Sequence, residues 1–141
     1  MITAFINLKG GSTKSSSAVH LCRYLLAKNQ TVALVDADSQ ATSSTWINNL
    51  ENGIPRPKIY RLTEPDPLLD EIPEIAKSAD HVVVDGAGGL AEVQRTILLL
   101  ADRVFIPIQP SAPDISASHQ AIKAVSRARA IRNGQPSAYT F

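Results

Sequence analysis

The chain has 141 residues and a formal net charge of +1, with 44% apolar and 19% charged residues. That composition excludes a mainly disordered chain and sets the expectation of a single globular domain. No apolar run approaches the roughly 20 residues that span a bilayer, and the first eight residues lack a signal-peptide pattern. The single cysteine, Cys22, excludes an intramolecular disulfide and a multi-cysteine metal or cluster site. The expected setting is the cytoplasm.

The predicted elements alternate. Ile2 to Leu8 reads as a strand, and a Gly/Ser/Thr loop runs from Lys9 to Thr13. Ala18, Leu21, Cys22, Leu25 and Leu26 then repeat at helical spacing, ending at Asn29-Gln30. Thr31 to Val35 is a continuous apolar run of the kind a doubly covered parallel strand shows. Ala41 to Leu50 predicts a helix. A proline-rich connection follows, holding a strand at Lys58 to Leu62. Leu68, Leu69, Ile72, Ile75 and Ala76 predict a helix with Pro73 near its start. His81 to Val84 is a strand, Leu90 to Leu100 a helix, Arg103 to Ile108 a strand, Ser116 to Arg132 a helix and Ser137 to Phe141 a last strand. This order predicts an α/β fold with a mostly parallel sheet and helices on both faces.

Lys9-Gly10-Gly11-Ser12-Thr13-Lys14-Ser15-Ser16 lies between the first strand and the first helix, where a phosphate-binding loop belongs. Backbone N–H groups of such a loop point at phosphate oxygens, and the helix N-terminus adds favourable partial charge. Gly10 and Gly11 allow close approach, Lys14 suits the β- and γ-phosphates, and the Ser15 hydroxyl suits Mg²⁺. Two carboxylate motifs accompany the loop. Val35-Asp36-Ala37-Asp38-Ser39-Gln40 ends the second strand, and Asp85-Gly86-Ala87-Gly88 ends the strand at His81 to Val84. Strand ends are where open α/β sheets bind ligands, and an aspartate there can hold Mg²⁺ through water. The plainer role for such an aspartate is to cap a helix.

These motifs resemble those of the ParA/MinD group of P-loop ATPases with a deviant Walker A motif, closest to the small ParA partition and positioning proteins. Lys9-Gly10-Gly11 with Lys14-Ser15-Ser16 matches K-G-G-x-x-K-[ST]-[ST]. Asp36-x-Asp38-x-Gln40 resembles the second motif, Asp85-Gly86-Ala87-Gly88 the Walker B turn, and Ile106-Pro107-Ile108-Gln109-Pro110-Ser111 a later switch-like segment. The resemblance implies a three-layer P-loop NTPase that uses ATP, ADP and Mg²⁺. It implies catalytic roles for Lys9, Lys14 and Asp38, with Asp38 orienting the attacking water. Residues 9 to 16 would hold nucleotide, and Ser15, Asp36 and Asp85 would serve Mg²⁺, Asp36 from its outer shell. Lys9 would act across a homodimer closed by ATP, adding positive charge where the transition state accumulates negative charge. The implied partners are non-specific DNA and a cargo-linked, ParB-like stimulatory protein, with no membrane, in a cytoplasmic and nucleoid-associated setting. Family members are longer, so the resemblance also implies one domain, residues 1–141, that is C-terminally short and lacks most of the adenine-recognising half of the site.

Two departures from the pattern stand out. Thr13 replaces a glycine, which is costly if that position needs φ > 0 and harmless if it is already helical. Ser39 replaces the usual proline. Thr13 and the short chain motivate the alternative of a catalytically weak nucleotide-binding switch or scaffold.

Charge is unevenly spread. Up to Asp114 there are ten Lys/Arg against thirteen Asp/Glu, and from Ile115 onward only Lys123, Arg127, Arg129 and Arg132 carry charge. That segment reads either as a solvated helix face or as a phosphate-binding patch for DNA. Cys22 is expected to be buried structure, and Trp46 to pack rather than stack on bases. His20, His81 and His119 show no metal spacing. Ser111-Ala112-Pro113-Asp114 reads equally as a helix cap or as part of a dimer face.

Overall fold

A computed structural model of the chain describes residues 1–7, 13–89, 91–109 and 112–141. The elements run β1 Ile2–Phe5, α1 Lys14–Ala27, β2 Val32–Asp36, α2 Thr42–Asn48, β3 Lys58–Arg61, α3 Pro65–Ser78, β4 His81–Asp85, α4 Ala91–Leu100, β5 Arg103–Ile106, α5 Ala112–Ile131 and β6 Ser137–Thr140. All six strands are parallel, in the order β3-β2-β4-β1-β5-β6. The predicted alternation therefore corresponds to the observed one, with element ends shifted by a few residues.

Side-chain alternation divides the core into two layers. Ala4, Ala33, Val35, Val82, Val84 and Val104 face one way. They pack against Leu68, Ile72 and Ile75 of α3, Val93 and Ile97 of α4 and Ala121 and Val125 of α5. Phe5, Val32, Leu34 and Val83 face the other way, against Ala18, Val19 and Cys22 of α1 and Ile47 of α2. Burial on both faces is why β2 and β4 read as continuous apolar runs.

Three expectations need correction. Pro73 lies inside α3, not near its start. Its missing N–H removes one helical hydrogen bond, yet Leu68, Ile72 and Ile75 still bury one face of that helix. Pro65 at the start of α3 removes no such bond, because the first-turn N–H groups have no intrahelical partner. The last helix begins at Ala112 rather than Ser116. Trp46 is 47% exposed, because its α2 neighbours Ser43, Ser44 and Ile47 take the buried face.

The strand ends are set by close backbone contact. Gly86 N–H donates to the Phe5 carbonyl at 2.9 Å, just beyond the Phe5–Asp85 register pair. A Cβ on Gly86 would stand 2.7 Å from that same oxygen. Gly86→Ala is expected to destabilise the fold by about 1–3 kcal/mol, read as a lowered urea midpoint with unchanged slope.

Candidate functional site

The site lies at the C-terminal ends of β1, β2 and β4. The strand order reverses around β1, which makes its exit the switch point where open α/β sheets bind ligands. Asp36 and Asp85 are register partners on adjacent strands and are both fully buried. They continue the alternation of Val32, Leu34 and Val83, so they point to the α1 and α2 side of the sheet.

The two carboxylates are treated differently. Asp36 accepts the Ser44 N–H at 2.9 Å, the Ser44 hydroxyl, and the Asp38 N–H at 3.2 Å. It therefore anchors the first turn of α2, the capping role the sequence left open. Asp85 has two buried oxygens without a hydrogen-bond partner. Burial pushes its carboxyl up to about 6, and Asp36 adds to the rise. The Ser15 and Ser43 hydroxyls and the Lys14 ammonium pull it back, although neither hydroxyl reaches hydrogen-bonding geometry.

Lys14 is the first residue of α1 and is only 4% exposed. Burial lowers its pKa, and the charges of Asp85 and Asp38 oppose that. The helix N-terminus thus delivers a buried cation to a buried anion. Asp38 is half-buried and bridges two loops, accepting the Gln40 N–H at 2.9 Å and the Gly88 N–H at 3.4 Å. The structure thereby brings Lys14, Ser15, Asp36, Asp38 and Asp85 together. Lys9, Gly10, Gly11 and Ser12 lie outside the described residues, as does Ser111, and the side chains of residues 112–115 are not described.

Thr13 resolves the alternative posed by the sequence. It has φ 48° and ψ 6°, in the left-handed region. A β-branched residue is strained there by roughly 1–2 kcal/mol. Its carbonyl still accepts the Ser17 N–H at 2.9 Å, so the strained residue starts α1.

The donor set suits Mg²⁺. This ion is held by one or two carboxylates, with water and substrate phosphate filling its other positions. Asp85, buried and lacking a hydrogen-bond partner, and the nearby Ser15 hydroxyl are the groups that could hold the ion.

Sequence reasoning missed two buried amides. Gln94 Nε2 donates to the Asn7 and Ala87 carbonyls at 3.0 and 2.9 Å, and Asn7 Nδ2 donates to the Pro107 carbonyl at 2.8 Å. A polar residue on an otherwise buried helix face was the available signal. Cys22 is buried, and burial pushes its thiol up to about 12, which makes it unreactive.

The four basic residues of α5 and its end divide into two pairs. Arg132 Nη1 donates to the Leu98 and Ala101 carbonyls at 2.9 and 2.6 Å, closing the C-terminus of α4. Arg129 Nε donates to the Gly134 carbonyl at 3.0 Å. Lys123 and Arg127 instead line a cavity of about 630 Å³ between α4 and α5, joined by Arg95.

The profile of the CobQ/CobB/MinD/ParA nucleotide-binding domain matches residues 3–134. The chain belongs to this family. Among curated relatives, protein VirC1 of Rhizobium radiobacter is 31% identical over 119 residues, covering 81% of this chain and 51% of the relative. Maintenance of carboxysome distribution protein A of Gloeobacter kilaueensis is 33% identical over 117 residues, covering 82% and 52%. The chain therefore spans about half the length of the curated relatives it matches.

Solved structures share the fold. Apo McdA of Cyanothece superposes with a TM-score of 0.77 at 14% identity, covering 97% of this chain and 69% of that one. Cobyrinic acid a,c-diamide synthase of Mycobacterium smegmatis with ADP and magnesium gives 0.77 at 16%, covering 99% and 71%. The pNOB8 ParA bound to nonspecific DNA gives 0.65 at 15%, covering 84% and 56%. No helix among the described residues of this CobQ/MinD/ParA-family domain is long and apolar enough to cross a membrane.

The Asp85 carboxyl titrates at about 6 in the folded chain against an ordinary 3.8, so folding takes up a proton between those values. The contribution of this carboxyl to stability is fully present below pH 4, falls as pH rises toward 6, and is lost above it. Asp85→Asn in EDTA is expected to raise stability on the order of 2 kcal/mol at pH 7.5. The gain should shrink toward zero in urea melts at pH 4. Thr13→Gly is expected to add about 1 kcal/mol by relieving the left-handed strain, seen as a higher urea midpoint at either pH.

Proposed function

We propose that the chain is a ParA-like, Mg²⁺-dependent ATPase domain that works as a nucleotide switch. The observation that carries the reading is the buried group at the strand ends, in which Lys14 opens a helix beside the hydrogen-bond-orphaned Asp85. In water, a carboxylate and an ammonium would each keep their hydration. Here both are stripped of it, which suits them to exchange partners with a metal-bound phosphate.

The residue roles in this reading are those the motif resemblance implies, supported by the gathering of Lys14, Ser15, Asp36, Asp38 and Asp85 at the strand ends. Residues 9 to 16 hold the phosphates, with Lys14 on the β- and γ-phosphates. Ser15 and Asp85 hold Mg²⁺, which when bound would neutralise developing phosphate charge. Asp36 fixes α2 and with it the backbone of Asp38. Asp38 orients the attacking water, and its bond to Gly88 N–H ties that role to the loop after Asp85. Lys9 reaches the phosphates of a second subunit, so that hydrolysis depends on ATP-driven dimerisation.

The DNA and cargo roles belong to the same reading. Lys123 and Arg127, with Arg95 from α4, form the cationic patch for non-specific duplex DNA, supported by the DNA-bound state of the pNOB8 relative. A cargo-linked, ParB-like partner stimulates the cycle, in keeping with the carboxysome-distribution name of one relative. The chain is one nucleotide-binding domain, and its cytoplasmic, nucleoid-associated setting follows from DNA attachment.

One observation favours a second reading, a switch or scaffold without effective hydrolysis. Thr13 is held at φ 48° beside Lys14, and that strain bears on the phosphate loop.

Steady-state ATP turnover and sedimentation with ATP test the proposal together. The chain should dimerise with ATP and hydrolyse it. Asp38→Ala should lower turnover at least 100-fold, the size expected for losing a positioned catalytic group, while keeping nucleotide binding. Lys9→Ala should abolish turnover and leave monomer binding. Turnover unaffected by Asp38→Ala would refute the hydrolytic mechanism, and no turnover in the wild type would favour the scaffold. Arg127→Glu should weaken binding to any duplex and flatten its salt dependence.

A further inference from the structure

The β1–β4 and β1–β5 ladders end near Phe5, with Gly86 N–H on the Phe5 carbonyl and Ile6 N–H on the Phe105 carbonyl. Beyond that point the three strand exits separate into loops, and two buried amides replace the ladder. Gln94 is 2% exposed, on a face of α4 where Val93, Ile97 and Leu98 are also buried. Both of its donated bonds end on carbonyl oxygens, which can only accept, so both amide hydrogens are engaged. One carbonyl belongs to Asn7, at the exit of β1 toward the phosphate loop. The other belongs to Ala87, two residues past Asp85. Asn7 extends the link to Pro107 after β5.

An apolar side chain of the same length would fill this space without joining the two carbonyls. The polar choice inside an apolar layer therefore has a specific effect: it ties the exit of β1 at Asn7 to the loop after Asp85 at Ala87. We propose that Gln94 is a positioning residue of the nucleotide site, setting the separation between the phosphate loop and the Asp85 loop so that one Mg²⁺–nucleotide complex engages both loops at once. The proposal rests on the nucleotide-switch reading above. Binding of nucleotide alone needs only the phosphate loop, whereas the added affinity from Mg²⁺ needs both.

The test is the affinity of the full chain for a fluorescent ATP analogue, measured in EDTA and in MgCl₂. The wild type should bind more tightly with Mg²⁺. Gln94→Met should keep its EDTA affinity within about twofold and lose the Mg²⁺ gain by about tenfold, the low end of losses seen for supporting groups around a metal. Gln94→Glu, which keeps the length but offers no donor when ionised, should show the same selective loss. Leu98→Ala, a buried change on the same helix, should lower the unfolding temperature yet leave the Mg²⁺ gain intact. A wild-type gain retained in both Gln94 variants, or lost equally in Leu98→Ala, overturns the positioning role while leaving the nucleotide reading standing. A wild type that binds in EDTA without any Mg²⁺ gain also overturns the positioning role. A wild type that binds in neither buffer overturns the nucleotide reading and the positioning role together.

Discussion

Two carboxylates buried side by side are the constraint around which this domain is arranged. Asp36 and Asp85 share a register position on adjacent central strands, where the sheet holds their backbones about 5 Å apart. Two equally desolvated anions at that distance would repel strongly. The fold separates their circumstances instead. Ser44 satisfies Asp36 through both its N–H and its hydroxyl, which leaves that charge stabilised in place. The Asp85 carboxylate receives no hydrogen bond and lies near the Lys14 charge, so it stays buried without the partners that Asp36 has.

The same asymmetry organises the elements around it. Anchoring α2 to Asp36 places Asp38 where it can accept from Gly88, across the gap between two strand exits. Starting α1 at Lys14 requires the chain to turn through a left-handed Thr13. Both features cost stability, one by desolvation and one by backbone strain. The apolar layers on each side of the sheet offset that cost, with Ile47, Leu68, Ile72, Ile97 and Leu98 fully buried. Stability held in the layers and frustration held at the strand ends is the division expected of a domain whose site must bind and release a charged ligand.

Periodicity and composition carried the fold because burial on both faces leaves a plain trace. The runs Val32–Val35 and Val82–Val84 are apolar throughout, and the helices between them repeat at three and four residues. Pro73 and Trp46 were misread for one reason: local pattern says little about which turn of a helix meets the core. The candidate site was partly legible, because Lys14, Asp38 and Asp85 stand in motifs whose spacing is local. Gln94 and Asn7 were not, since the bond that joins them spans 87 residues and the one from Asn7 to Pro107 spans 100.

The sequence by itself determined the alternation of elements, the parallel sheet, and the gathering of a glycine-rich loop and two aspartate motifs at strand ends. These follow from chain-local periodicity and from the rule that parallel strands exit on one side. Only the tertiary structure decided which aspartate is satisfied and which is left without a partner. It alone placed Thr13 at positive φ, committed Arg132 to the carbonyls of α4, and left Lys123 and Arg127 lining a groove. Those outcomes depend on hydrogen bonds and desolvation between segments far apart in the chain, which no local pattern records.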